Sequence, residues 1–239
     1  MKLSMDLHIH SALSPCASDD MTPNNIVNMA HIKGLDIIAI TDHNSMENVE
    51  TVINLGEKRK ILVLPGIEVT SKEEVHLLCY FEDVRKGLKF GEIIYKSLPN
   101  ILNNEKIFGH QLIFDINDQV IGKADKLLLG SSSYSIEEIG LLTKEFYGVM
   151  VPAHIDRQAF SLLSVLGFIP ENLDINTVEI SSYCEKCFIE QYSYLKKYNI
   201  ITNSDAHDLY VISEPIYFAD VDILSTRSIF EYLRGKRGR

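Results

Sequence analysis

Near the start of the chain, the segment Leu3-Ser4-Met5-Asp6-Leu7-His8-Ile9-His10 alternates apolar residues with polar and ionisable ones. Side chains two residues apart on a strand point to the same face, so Asp6, His8 and His10 line up together. The segment therefore predicts a strand that carries a row of potential metal ligands at its carboxyl end.

Short apolar runs and helical patterns alternate along the rest of the chain. Predicted strands lie at residues 3–9, 36–40, 61–64, 75–81, 148–152, 177–180, 200–202 and 216–219, and predicted helices at 22–34, 45–58 and 84–102. Thr22 and Pro23 are typical of a helix cap and first turn, and Gly34 is typical of a helix end. The alternation predicts an α/β fold in which helices surround a parallel sheet, either open or closed into a barrel.

Composition and charge limit the class of protein. The 239 residues are 46% hydrophobic and 23% charged, as in an ordinary globular domain, and the formal net charge is −10. Such a surface repels long polyanions unless bound metals reverse the local field, so we expect long nucleic acid to be an unlikely partner. Apolar runs of about five residues are too short for a membrane helix of roughly 20. Four cysteines without a recognisable signal peptide predict reduced thiols and a cytoplasmic location.

Residues 103–134 interrupt the alternation. Residues 111–114 and 120–122 form a hairpin-like pattern around a polar turn at 115–119. We predict a single domain over residues 1–239, into which this hairpin-like excursion is inserted over the mouth of the barrel. Long loops in compact domains are often lids or specificity elements, and a surface loop without function is the alternative.

Six of the eight histidines fall beside predicted strand ends, together with two carboxylates. These residues are His8, His10, His43, Glu68, His76, His154, Asp205 and His207. The carboxyl ends of parallel strands converge on one face of the sheet, where active sites form. Imidazole and carboxylate ligands suit zinc, manganese or iron, and a carboxylate can bridge two ions. A single such histidine is usually a core or surface residue, but six of them predict a site for several ions.

The same residues resemble the polymerase and histidinol phosphatase (PHP) family of metal-dependent phosphoesterases. The matching motifs are Asp6-Leu7-His8-Ile9-His10-Ser11, Ile40-Thr41-Asp42-His43, Gly66-Ile67-Glu68, His76, His154 and Ser204-Asp205-Ala206-His207. They span residues 6 to 207 in the family's order. The resemblance implies a distorted (β/α)7 TIM-like barrel with two or three divalent ions (Zn, Mn or Fe) at the mouth of the barrel.

The resemblance also implies how the ligands divide among the ions. The first ion would be held by His8, His10, Glu68 and Asp205. Glu68 would bridge to a second ion, which His76 and His154 complete. The third ion would be held by His43, His207 and one further ligand from the loop after His10.

That further ligand is ambiguous in this sequence. Many family members place Asp or His five or six residues after the second histidine of the opening motif, where this chain has Pro15 and Cys16. Asp20, just before the predicted helix, is a hard ligand and the preferred candidate. Asp19 and the thiolate of Cys16, a soft ligand suited to zinc, are the alternatives.

The predicted catalytic residues are Glu68, Asp205, His207 and Arg157. A bound divalent ion lowers the pKa of its water to about 7, and neighbouring ions clamp the attacking and leaving oxygens of a phosphate ester. We expect Glu68 to bridge two ions, Asp205 and His207 to bind metal near the attacking water, and Asp6 to orient a histidine. Arg157 is a candidate for a bidentate phosphate contact, and an ordinary exposed arginine is the alternative.

We therefore predict a metal-dependent phosphoesterase that hydrolyses a small phosphorylated substrate, such as a nucleotide monoester or a sugar or amino-alcohol phosphate. The alternatives are a nuclease that trims short oligonucleotides and a non-catalytic module. An amidohydrolase is disfavoured because no lysine stands at a strand end where it could bridge ions. Cys184 and Cys187 have metal-ligand spacing but no second cysteine pair, so we do not predict a zinc site there. The sequence does not predict an oligomeric state.

Overall fold

Strands and helices alternate along the chain, as predicted. The structure is a computed structural model that describes residues 1–185 and 187–235. Its strands are β1 (Lys2–Ile9), β2 (Ile37–Ile40), β3 (Leu62–Thr70), β4 (His76–Tyr80), β5 (Leu112–Phe114), β6 (Val120–Lys123), β7 (Val149–Pro152), β8 (Thr177–Ser181), β9 (Asn199–Asn203) and β10 (Phe218–Asp220). Its α-helices are α1 (Pro23–Lys33), α2 (Val49–Arg59), α3 (Val84–Ser97), α4 (Glu105–Phe108), α5 (Ile136–Glu145), α6 (Leu162–Leu166), α7 (Phe188–Gln191) and α8 (Thr226–Leu233). Short 3-10 helices lie at Ser193–Lys197 and Leu209–Val211.

The ends of the first helix are as predicted, whereas α3 begins at the predicted residue but ends earlier than predicted. The hydroxyl of Thr22 caps α1 by accepting a hydrogen bond from the backbone N–H of Asn25, and Gly34 ends the helix with a left-handed φ of 74°. The predicted helix at 84–102 ends at Ser97 instead, because Leu98 is extended. The proline that follows Leu98 disfavours the helical conformation in the residue before it.

The main sheet is curled into a half-barrel and is mixed rather than parallel throughout. Its strand order is β10-β1-β2-β3-β4-β7. Strands β1, β2 and β3 are parallel, whereas β4 is antiparallel to both of its neighbours and β10 is antiparallel to β1. Residues 71–75 are too few for the crossover of about a dozen residues that parallel strands need, so β3 and β4 form a hairpin. The expectation of a parallel sheet is therefore wrong at β4 and β10.

A separate parallel pair, β8 and β9, lies beside the curled sheet, with β8 next to β7 and β9 next to β1. The backbone N–H of Ile155, which follows β7, donates to the carbonyl of Glu179 in β8 (2.8 Å). The N–H of His10, which follows β1, donates to the carbonyl of Ala206, which follows β9 (2.9 Å). These bonds place the segment after β7 next to β8 and the segment after β9 next to the end of β1.

Two buried apolar clusters support the sheet. One joins alternate residues of β1, namely Leu3, Met5 and Leu7, to α8. The other packs α1, α2 and α3 against the opposite side of the sheet. Among the helices that the structure describes, none has the length and apolar character that crossing a membrane requires.

The predicted hairpin is confirmed, and it contacts the loop between β1 and α1. Strands β5 and β6 pair antiparallel. The N–H of Leu112 donates to the carbonyl of Ala12 (2.8 Å), and the side chain of Asn48 donates to the carbonyl of Leu112 (3.0 Å). His110 Nδ1 lies 2.8 Å from the carboxylate of Asp19. The hairpin segment is therefore attached directly to the loop that follows the first two histidines.

Gly66 allows a close approach between β3 and β2 just before the central residue Glu68. A Cβ atom at Gly66 would lie 2.8 Å from Thr41 Cγ2 and 3.0 Å from the carbonyl oxygen of Ile40. We expect Gly66→Ala to lower the free energy of unfolding by about 1–3 kcal/mol, because overpacking forces neighbours to shift. Urea denaturation measures the change. In the control Gly122→Ala, the new Cβ would meet Ile113 at an ordinary 3.6 Å. Equal stabilities of the two variants would contradict this account.

Candidate metal centre

The predicted ligands meet at one edge of the curled sheet. They are His8, His10, His43, Glu68, His76, His154, Asp205 and His207, on or just after strand ends. Glu68 lies inside β3, because this strand is longer than predicted and continues to Thr70. His76 reaches the same edge as the first residue of β4, where it pairs with Thr70. Because β4 runs antiparallel to β3 and β7, its amino end lies where those two strands have their carboxyl ends.

Glu68 occupies the centre of this group. Its Oε1 lies 3.3 Å from His8 Nε2, 3.0 Å from His76 Nδ1 and 3.4 Å from His154 Nε2. Its Oε2 lies 2.9 Å from His43 Nδ1 and 3.4 Å from His10 Nε2. Both oxygens of Glu68 and the Nδ1 of His43 are buried and make no hydrogen bond within the described part of the chain. Buried polar atoms without partners are costly, so this arrangement fits bound cations.

The ligand atoms form three overlapping groups, found among the residues that the structure describes. Within each group the atoms lie within 4.8 Å of one another. The groups are His8, His10 and Glu68; His43, Glu68 and His76; and His10, His43 and His207. Asp205 Oδ1 adds a carboxylate oxygen 3.2 Å from the Nε2 atoms of both His8 and His10. Imidazole with carboxylate suits zinc, manganese or iron, and Glu68 takes part in two groups, as a bridging carboxylate does.

The cluster shifts the pKa values of its members. Burial would raise the pKa of Glu68, but the surrounding His76, His8 and His43 hold it well below its usual range. His8 and His10 likewise outweigh burial and lower the pKa of Asp205. Burial lowers the pKa of His10 far below its usual value, and the neighbouring His207 and His43 lower it further. Although burial opposes the shift, Glu179 raises the pKa of His8 and Glu68 raises that of His43. Metal ions bind ionised carboxylates and neutral imidazoles, so ion binding would release protons from these two histidines.

Asp42 fixes the loop that follows β1. Its carboxylate accepts hydrogen bonds from the backbone N–H of Ser11 (2.7 Å), the hydroxyl of Ser11 (2.6 Å) and the hydroxyl of Ser14 (2.7 Å). The Ser14 oxygen in turn lies 3.0 Å from His10 Nδ1 and accepts from the backbone N–H of His43 (3.1 Å). Ser14 therefore fixes the His10 ring with its Nε2 directed at the cluster.

Glu179 of β8 orients a histidine, a role that the sequence analysis assigned to Asp6. Its two oxygens lie 3.0 and 3.1 Å from His8 Nδ1, and one of them accepts the backbone N–H of His154 (2.9 Å). Asp6 instead accepts from the backbone and hydroxyl of Ser204 (3.1 and 2.6 Å) and from the N–H of Ser213 (2.8 Å). The expectation that Asp6 orients a histidine is wrong. Asp6 shares a strand face with His8 and His10, but its carboxylate bonds to the segment after β9 instead. In the sequence, the one sign of this role is that Glu179 places a carboxylate inside the mostly apolar run at 177–180.

The loop after β1 brings Cys16, and not Asp20, next to His43 and His207. Desolvation of the sulfur would raise the pKa of the Cys16 thiol, but the nearby imidazoles of His207 and His43 lower it to about 7. Cys16 and Asp20 are both exposed, and neither belongs to the three ligand groups of the described residues, so the proximity of Cys16 to His43 and His207 is what distinguishes them. Asp19 contacts His110 instead (2.8 Å).

Arg157 lies at the mouth of the site. Its Nη1 is 2.6 Å from Asp205 Oδ2, and its side chain is 40% exposed. Together with ligands of the cluster, it lines an open cleft of about 580 Å³. Ligand-binding clefts range from about 300 to 1,000 Å³, so this cleft is large enough for a nucleotide-sized group.

A buried histidine and carboxylate cluster at the edge of an α/β sheet, with an arginine at its mouth, is typical of metal-dependent hydrolases. Comparison with protein families places the chain within this class. The model of the PHP domain matches residues 6–160, and the chain belongs to the PHP domain family. The family is metal-dependent, which agrees with the donor set of the cluster.

Similar proteins include archaeal and bacterial relatives. The chain is 32% identical over 105 residues to an uncharacterized protein of Methanocaldococcus jannaschii, covering 39% of this chain and 60% of that protein. It is 23% identical over 124 residues to a 5′-3′ exoribonuclease of Haemophilus influenzae, covering 50% of this chain and 40% of that enzyme. The chain thus spans less than two thirds of the length of either protein.

The fold is similar to that of a lesion-specific endonuclease, endonuclease Q. The Pyrococcus furiosus structure gives a TM-score of 0.74 with 20% identity, covering 100% of this chain and 57% of that one. A structure of endonuclease Q with a 27-mer duplex substrate, which has an abasic lesion at the active site, gives 0.68 with 20% identity. That comparison covers 100% of this chain and 58% of the endonuclease.

These similarities contradict the expectation that the partner is a small phosphorylated substrate and that long nucleic acid is an unlikely partner. The fold of endonuclease Q matches the whole length of this chain, and that enzyme has been seen with a DNA duplex substrate whose abasic lesion lies at the active site. The formal net charge is a poor guide to nucleic-acid binding here, because it sums over all residues. Within a metal site, bound divalent ions dominate the local electrostatic field.

Glu179 provides a test of how the cluster is held. We expect Glu179→Gln to weaken metal binding about 10- to 100-fold, because the carboxylate that fixes His8 becomes an amide. Competition with a chelator, followed by elemental analysis, measures the affinity. The control Glu171→Gln makes the same change at an exposed position. If both variants bind metal as tightly as the wild type, Glu179 does not support the site.

Proposed function

We propose that this protein is a metal-dependent phosphodiesterase that cleaves nucleic acid. The observation that carries the proposal is the similarity in fold of the entire chain to endonuclease Q, a nuclease, combined with a buried cluster of candidate metal ligands in this chain. The 5′-3′ exoribonuclease among the relatives supports the same substrate class.

The open cleft agrees with a polymeric substrate. A phosphodiester within a strand continues on both sides of the scissile bond, so its site must be open to solvent at two ends. The cleft of about 580 Å³ lies over Glu68, His76 and His154, with Arg157 on its lining. Arg157 is suited to donate hydrogen bonds to a non-bridging phosphate oxygen, because guanidinium forms paired bonds with such oxygens.

We assign the ligands to three ion positions. The first comprises His8, His10, Glu68 and Asp205; the second comprises Glu68, His76 and His154; and the third comprises His43, His207 and Cys16. When bound, divalent ions lower the pKa of water and neutralise charge on the phosphoryl oxygens. The protein's own contribution is to hold these ligands rigidly: Glu179 orients His8, Ser14 orients His10, and Asp205 positions the guanidinium of Arg157.

Cys16 replaces Asp20 in this assignment because of its contacts with His43 and His207. A thiolate with two imidazoles favours zinc at the third position, whereas the carboxylate-rich positions also suit manganese and iron.

Oligonucleotide hydrolysis tests the proposed function. We expect the purified protein, supplied with Mn²⁺ or Zn²⁺, to cleave end-labelled single-stranded RNA or DNA. Glu68→Gln should reduce the rate on the order of 100-fold or more, because losing the carboxylate charge weakens two ion positions at once. Gel electrophoresis of the products measures cleavage, and Glu171→Gln is the control. Intact oligonucleotides alongside rapid hydrolysis of p-nitrophenyl phosphate would argue against a nuclease.

The assignment of Cys16 has its own test. We expect Cys16→Ala to lower the number of bound ions per chain by one, since the third position loses its anionic ligand. Asp20→Asn should leave the ion count unchanged, because Cys16 and not Asp20 lies beside His43 and His207. Elemental analysis of the two variants measures the difference. The opposite pattern would return the third position to Asp20.

A further inference from the structure

Phe160 exposes an aromatic ring at the metal centre. The residue is 47% exposed, and its ring stacks on that of His76 with a centroid distance of 4.7 Å and an angle of 22° between the planes. Phe160 lines the same cleft as Glu68 and Arg157. Among the described residues that line this cleft, Phe160 is the one phenylalanine.

The backbone of Phe160 is held in a conformation that phenylalanine rarely adopts. Its φ is 55°, in the left-handed region, where a bulky residue is an outlier. The carbonyl of Phe160 accepts the N–H of His76 (2.9 Å), and the hydroxyl of the next residue, Ser161, donates to the carbonyl of Arg157 (2.7 Å). Strained residues that their surroundings hold firmly are concentrated at functional sites.

The start of the same loop is fixed as well. Asp156 accepts hydrogen bonds from the N–H and the hydroxyl of Ser181 (2.7 and 2.6 Å), and the N–H of Arg157 donates to the carbonyl of His154 (2.9 Å). With both of its ends fixed, the loop holds the Phe160 ring in one place without burying it. Packing against His76 alone does not account for the ring, because contact with one imidazole leaves about half of the residue in water.

A nucleobase matches this exposed ring. Aromatic side chains bind single-stranded nucleic acid by stacking on the bases, and stacking tolerates any base because each has a π-face. Phe160 contacts His76, a candidate ligand, so a nucleotide with its phosphate at the ions would carry its base within reach of the ring. Arg157, three residues earlier in the same loop, lies on the phosphate side of such a nucleotide.

We propose that Phe160 is a stacking platform for the base of a nucleotide adjoining the scissile phosphate. The platform would make the enzyme selective for strands with unpaired bases over other phosphodiesters, without selecting a particular base. This inference rests on the proposed nuclease function and adds to it a means of recognising the substrate.

Two oligomers with equal backbone charge test the stacking platform. One is a short oligothymidylate, and the other is an oligomer of equal length built from abasic tetrahydrofuran units. We expect the wild type to prefer oligothymidylate in kcat/KM and Phe160→Leu to reduce that preference about tenfold, the effect of losing one stacked base. Phe160→Tyr keeps an aromatic ring and should retain the preference. Phe168→Leu is the matched control, because Phe168 is also exposed (57%) but does not line the cleft.

The outcomes separate the platform from the function on which it rests. If the wild type cleaves oligothymidylate and Phe160→Leu keeps the full preference, the platform is wrong and the nuclease function stands. If the wild type cleaves neither oligomer, the nuclease function itself fails. Elemental analysis of Phe160→Leu completes the test: loss of bound metal would mean that the ring only supports His76, which would also overturn the platform.

Discussion

The carboxylate of Glu68 is buried, and its two oxygens lie within 3.4 Å of nitrogens from five histidines. An ionised carboxylate in the interior is expensive unless positive charge compensates it. The curl of the sheet and the antiparallel β4 bring those nitrogens to one point, and the junction between β9 and β1 places Asp205 and His207 beside them. Much of the architecture can therefore be understood as the support that one buried charge requires.

Other acidic residues are also buried inside the protein, so the formal net charge overstates the negative charge at the surface. Asp6, Asp42 and Glu179 are buried and accept hydrogen bonds from backbone and side-chain groups. Burial raises the pKa of Asp42 to about 6, although its serine partners oppose the shift. These carboxylates contribute to the formal value of −10 but lie beneath the surface that a polyanion would approach. The repulsion inferred from composition was therefore overestimated.

The sequence was sufficient where local chemistry decides the structure and insufficient where distant segments meet. The cap at Thr22, the hairpin at 111–122 and the gathering of ligands at strand ends all follow from local patterns. The reversal of β4 depends on the turn at 71–75, which the pattern of apolar residues does not reveal. Cys16 and Asp20 lie in one short loop, and only its folded path separates them. Glu179 is identified by its contact with His8, more than 170 residues away.

The tip of the β5–β6 hairpin has a further consequence through its contact with α1. Asp118 accepts hydrogen bonds from the hydroxyl of Thr22 (2.5 Å) and the backbone N–H of Asn24 (3.0 Å), so it completes the cap of that helix. The first turn of α1 and the hairpin are therefore stabilised together and would open together in local unfolding. We therefore expect the hairpin not to move as an independent flap. Slow amide exchange at its tip would accompany slow exchange in a helix some 90 residues earlier in the chain.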